Sequence, residues 1–125
     1  MKSFIAFLFV VFSFAALANP SRVCENEASM VMSPAQARSE CAFARAGFAP
    51  CFELATMNLS TLESIRFCID AQAGVGECHR FASVAMGHWG ALSACQKAQA
   101  GVLRCLRDPE RLESPAAAVA RCVQP

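Results

Sequence analysis

The sequence predicts an all-α protein made of four tandem 27-residue helical hairpins, each closed by a disulfide, arranged as a short α-solenoid or compact helical array. Three observations carry that expectation. Eight cysteines stand at 24, 41, 51, 68, 78, 95, 105 and 122, so that gaps of 17 and 10 residues alternate without exception. A period in this range is the signature of stacked supersecondary units. Other positions keep step with the cysteines: Ala28, Ala55 and Ala82 are followed by Ser29, Thr56 and Ser83, and a tail of the form A-[RQ]-A-G recurs at 44–47, 71–74 and 98–101. Finally, helix-start residues recur at one place in each unit, and no stretch alternates with period two for long, so strands are not expected.

The chain begins with MKSFIAFLFVVFSFAALA: one cation, an apolar run from Phe4 to Phe14, then Ala16-Leu17-Ala18. This is the order of a secretory signal peptide, with the cut expected between Ala18 and Asn19. The run is short for a hydrocarbon core of about 30 Å, so removal is expected rather than anchoring. A single mature domain, 19–125, then contains the units 24–50, 51–77, 78–104 and 105–125. Its destination is the periplasm or the medium, where eight cysteines form a disulfide framework.

Within each unit the second helix is the clearer. Ser60 followed by Glu63 is a capping-box pattern, Ser33-Pro34 and Ser114-Pro115 are cap-then-proline starts, and Gly87 stands as a weaker cap in unit three. The second helices are expected near 34–46, 61–73, 88–100 and 115–123, with Gly47 and Gly74 closing the first two. The first helices are expected near 23–32, 50–59, 77–86 and 105–113, with Pro109 delaying the last of these. Folding each pair antiparallel about a turn near the tenth position sets position 1 beside about position 19. The second cysteine of each unit stands at position 18. The expected bridges are therefore Cys24–Cys41, Cys51–Cys68, Cys78–Cys95 and Cys105–Cys122. Unit four loses the shared alanine to Pro109 and reads as a cap; its Arg104, Arg107, Glu110, Arg111 and Glu113 read as a solvated helix face.

The segments Cys41-x9-Cys51, Cys68-x9-Cys78 and Cys95-x9-Cys105 resemble the spacing of the twin C-x9-C proteins of the mitochondrial intermembrane space. Here each segment contains glycine, with or without proline, where those proteins have continuous helix, and the leader is secretory in type. The plan of disulfide-stapled two-helix repeats in an exported protein is similar to that of the Sel1-like repeats, which are longer and space their cysteines differently. That likeness implies architecture and no activity.

Composition narrows function by exclusion. A formal charge of +1, with 55% hydrophobic and 17% charged residues, fits neither a disordered chain nor a nucleic-acid arm or polybasic membrane clamp. No catalytic constellation is present: there is no G-x-S-x-G, no C-x-x-C and no grouped Ser, His and Asp. No cofactor is expected. The cysteines lie at least ten apart, without a chelating pair, so no metal site is assigned. Met30, Met32, Met57 and Met86 fall at repeat positions 7 and 9, where Val84 and Leu59 also occur, and read as core; His79 and His88 read as surface residues. The leading expectation is an exported binding or structural module of unassigned specific activity; a third reading, a small exported enzyme or enzyme inhibitor, has no residues to name. Its partner would be an unknown protein or cell-envelope ligand, with no membrane insertion after the leader is cut. Trp89, the single tryptophan, is the candidate partner-binding residue if exposed, and as the first apolar residue of its helix it reads first as core. The alternative is a periplasmic thiol protein handling copper or zinc, should the cysteines be reduced.

Overall fold

Serine and proline set where most helices begin. In the computed structural model, which describes residues 19–123, the elements are α1 (Pro20–Ala28), α2 (Pro34–Cys41), α3 (Phe48–Ala55), α4 (Thr61–Cys68), α5 (Val75–Cys95), α6 (Val102–Leu106) and α7 (Pro115–Cys122), with no strand among the described residues. The expected leader lies outside those residues. Ser33, Ser60 and Ser114 each accept a hydrogen bond from the backbone N–H three residues on, satisfying a donor that the helix itself cannot. At Ser33 and Ser60 the box closes: the side chains of Gln36 and Glu63 accept from the cap's own N–H. Unit three has Gly87 instead. Its φ of 73° and ψ of 171° break the helical path, so α5 is two helices joined at a kink, and only glycine tolerates that backbone readily.

Four disulfides staple the hairpins: Cys24–Cys41, Cys51–Cys68, Cys78–Cys95 and Cys105–Cys122, each over 17 residues and with Cα–Cα distances of 5.6 or 5.7 Å. In the chain-entropy account a loop of this size contributes about 3 kcal/mol. That contribution matters because the buried side chains are small. Ala28, Ala55 and Ala82 are wholly buried, as are the cysteines of the first three bridges, while Phe48, Ile65 and Leu92 are the largest buried groups. Small side chains let helices approach closely, yet each removes little apolar area from water.

Each unit leans on the first helix of the unit before it. α3 and α4 pack on α1, α5 packs on α3, and α6 and α7 pack on α5. Burial repeats with the sequence in these units: Ile65, Leu92 and Val119 share repeat position 15 and are buried. Unit one has Arg38 there, exposed, with no helical pair packed over it among the described residues. A polar outer face on a terminal unit keeps such an array from stacking further.

The helix ends depart from the sequence expectation. The second helices of units one to three stop at Cys41, Cys68 and Cys95 rather than continuing to 46, 73 and 100, and in units one and two the tail pairs with the next unit instead. Arg45 N–H donates to the Ile69 carbonyl (3.2 Å) and Gly47 N–H to Ala71 (2.9 Å). One unit on, Gln72 N–H donates to Gln96 and Gly74 N–H to Ala98, both at 2.8 Å. A continued helix would have spent these groups on its own carbonyls. Gly47 and Gly74 therefore do not close helices in a left-handed turn. Their φ values are −83° and −86°, open to any residue. What excludes a side chain is the neighbouring backbone: a Cβ on Gly47 would lie 2.1 Å from Gln72 O, and one on Gly74 2.0 Å from Gln99 O.

The first helices begin two or three residues earlier than expected, those of units two to four directly after that tail. Unit four differs most. α6 starts at Val102 and ends at Leu106, so Pro109 terminates the first helix rather than delaying it, as the residue before proline is disfavoured in helical geometry. Residues 107–114, expected as part of a solvated helix face, form an irregular segment. It is tied down by Arg121, which pairs with Glu113 and donates to the Cys105 carbonyl at 3.2 Å.

Candidate binding surface

A strict repeat turns a column of the sequence into a row in space, so the exposed residues are best compared by repeat position. At position 7 stand Met30, Met57 and Val84, and they are 81%, 71% and 92% exposed. At position 9 stand Met32, Leu59 and Met86, all packed against the core. The sequence predicts core for both positions; the structure corrects this for position 7. In units one and two the first helix ends at position 5, and the position-9 N–H returns to that position's carbonyl (Met32 to Ala28, 3.0 Å; Leu59 to Ala55, 2.9 Å). That folds position 9 inward and leaves position 7 on the outside of the turn. Three units thus present a large apolar side chain at the same outward place. Unit four has Arg111 there, so the ridge ends with unit three.

Between α2 and α4 lies a cleft of 220 Å³ lined by Val31, Met32, Gln36, Glu40, Leu62 and Arg66. The residues one repeat after Glu40 and Leu62 are Phe67 and Trp89, whose rings are in contact with centroids 4.8 Å apart. Trp89, expected as a partner anchor, is 39% exposed with one face on Phe67. A second cleft, of 290 Å³, lies on the outer face of unit one and is lined by Glu25, Asn26, Ser29, Pro34, Ala37 and Arg38.

The two histidines are not independent surface residues. His79 is buried and His88 half-buried, with His79 Nε2 3.0 Å from His88 Nδ1 and His88 Nε2 2.9 Å from the Leu54 carbonyl. A carbonyl only accepts, so His88 Nε2 carries a proton, its Nδ1 accepts, and His79 Nε2–H donates to it. The chain of bonds joins both helices of unit three to the end of α3 in unit two. Burial, and then the neighbouring His88, hold the His79 pKa below the ordinary histidine value. Nine residues separate the two in sequence, across the Gly87 kink, so no helical spacing signals the pair. Gln96 makes a parallel link, donating from Nε2 to the Phe67 carbonyl at the end of α4 (2.8 Å).

Among the described residues no three His, Cys, Asp or Glu side chains gather as metal ligands, and no helix is long and apolar enough to cross a membrane. All eight cysteines are oxidised, the state favoured in an oxidising compartment. Compared with known proteins, the chain matches no protein family, no curated protein and no solved structure.

Proposed function

We propose that the protein is an exported binding module that docks a partner protein on the turn edge of its helical repeats. The observation that carries the reading is the ridge of Met30, Met57 and Val84. Single exposed apolar residues are ordinary on protein surfaces. Three at one repeat position, on an array whose core is short of large apolar groups, are not demanded by folding, and apolar side chains exposed in register offer a partner a repeated contact. Residues 1–18 are read as the leader that sends the chain to an oxidising compartment, with the mature form starting at Asn19. The metal reading requires thiolates, and the four bridges hold the sulfurs it needs.

The test compares disulfide-intact wild-type protein with the triple variant Met30→Gln, Met57→Gln, Val84→Gln. At such exposed positions each change moves stability by less than about 0.5 kcal/mol, so both proteins melt together. Quantitative cross-linking in the exporting cell's envelope and medium fractions is expected to give one partner with wild type and none with the variant. Identical cross-link profiles would refute the ridge as the docking surface. Intact mass before and after reduction checks the Asn19 start and the four bridges.

A further inference from the structure

We infer that the cleft between α2 and α4 receives an aromatic side chain of the partner, a tryptophan above all. The inference deepens the docking reading above and rests on it. Among the described residues α2 and α4 do not touch backbone to backbone, nor do α4 and α5; α4 packs on α1, and α5 on α3. The lane between neighbouring second helices is therefore left to side chains. Between α4 and the second half of α5 the chain fills that lane itself, with Trp89 lying against Phe67. Between α2 and α4 the equivalent residues are Leu62 and Glu40, neither of which brings a ring, and the lane is open as the 220 Å³ cleft. The molecule thus displays, one repeat along, the kind of group that this lane accommodates.

The lining favours the same occupant. The volume is below the roughly 300–1,000 Å³ of small-molecule pockets, and so suits a side chain rather than a cofactor. Val31, Met32 and Leu62 supply the apolar walls. The Met32 thioether interacts favourably with an aromatic ring. Arg66 lies at the rim, and among the described residues the ion pairs are Arg111–Asp108 and Arg121–Glu113. Its guanidinium is therefore free to lie over the negative face of a ring. Glu40 offers its carboxylate oxygens to an indole N–H, which needs an acceptor when buried. An aliphatic side chain would meet the walls and use neither the cation nor the acceptors.

The experiment titrates the full disulfide-bonded protein with N-acetyl-tryptophanamide and, separately, N-acetyl-leucinamide, following the methyl signals of Met32 and Leu62 by NMR. Saturable shifts of those methyls by the indole compound are expected, with the leucine compound binding about tenfold more weakly, the ratio that one cation–π and one sulfur–aromatic contact supply. Leu62→Trp, which builds the unit-three plug into the open lane, is expected to abolish the shifts at Met32. Arg66→Gln, an exposed change that leaves folding alone, is expected to weaken binding several-fold. Absence of saturable shifts, equal binding of the two compounds, or indole binding unchanged in both variants would each overturn the inference. The ridge variant leaves the cleft intact, so loss of the docking reading is scored separately by cross-linking.

Discussion

Replacing Gly47 with alanine tests how the units are joined. In a helix-closing role, glycine supplies a left-handed backbone, and asparagine is the next best residue. Gly47 has φ −83° and ψ −2°, where alanine is at ease. The obstacle is the added Cβ, 2.1 Å from Gln72 O and 2.5 Å from Ala71 O. Both are backbone atoms, so no rotamer change relieves the contact, and the two tails must separate by about an ångström to reach ordinary van der Waals distance. Separation breaks the Gly47–Ala71 and Arg45–Ile69 hydrogen bonds. At a net of about 1 kcal/mol each, with a further 1–3 kcal/mol for any group left buried and unpaired, the loss is about 2–4 kcal/mol. For a domain near this size each kcal/mol moves Tm by about 4–8 °C, so a fall of about 10–30 °C is expected in a calorimetric scan of the oxidised protein.

Two controls separate the explanations. Gly47→Asn should be at least as damaging as alanine, which the left-handed reading does not predict. Gly90→Ala, whose Cβ would sit 3.6 Å from Met86 Cβ in ordinary contact within a helix, should gain about 0.5–1 kcal/mol. A Gly47→Ala protein melting within about 2 °C of wild type would refute close approach as the reason for the glycine.

Three further changes follow from particular residues. Ser64 is wholly buried with its hydroxyl unpartnered, at a repeat position where the other units have Ala37, Ala91 and Ala118; Ser64→Ala is expected to raise stability by about 1 kcal/mol in urea titration, and a loss would mean the hydroxyl is satisfied. Because the His79 pKa is depressed on folding, the unfolded chain takes up the proton first, so the contribution of His79 is complete above its ordinary value of 6.5 and is lost as pH falls from there toward the folded value. Wild-type Tm should therefore fall between about pH 7 and pH 5 more steeply than that of His79→Gln, and parallel profiles would contradict the assignment. Cys105 and Cys122 are the only bridged cysteines that are not fully buried, and α6 beside them has five residues. Stepwise reduction with alkylation and peptide mapping should open Cys105–Cys122 first. Early opening of any inner bridge would contradict that order.

The stapled hairpins were legible because their signals are local or strictly periodic. A serine cap is written within four residues, and a 27-residue cysteine period is visible without knowing any contact. The helix ends were not legible for the opposite reason. A-[RQ]-A-G reads as a helical stretch closed by glycine, and nothing inside those four residues says that their N–H groups will turn to carbonyls of the next unit. Pro109 was ambiguous in the same way: proline is accepted in the first turn of a helix and also ends one, and it was the short Val102–Leu106 helix on its N-terminal side that decided between them.

The ridge was hidden by residue type yet recoverable from the caps. Positions 7 and 9 carry the same classes of residue, so composition cannot separate Met30 from Met32. Counted back from the serine cap they separate: position 9 directly precedes the N-cap, the staple slot whose apolar side chain packs against the helix it introduces. Met32, Leu59 and Met86 occupy that slot and are packed against the core. Unit four has Glu113 in the slot, and there a pairing with Arg121 in the helix it introduces replaces the apolar contact. Position 7 precedes the cap by three residues and has no such partner. Cap chemistry therefore accounts for every member of one column and for none of the other. An apolar residue at Met30, Met57 and Val84 without a folding role is what a docking surface requires, and it is why the ridge, rather than Trp89 with its ring against Phe67, carries the functional reading.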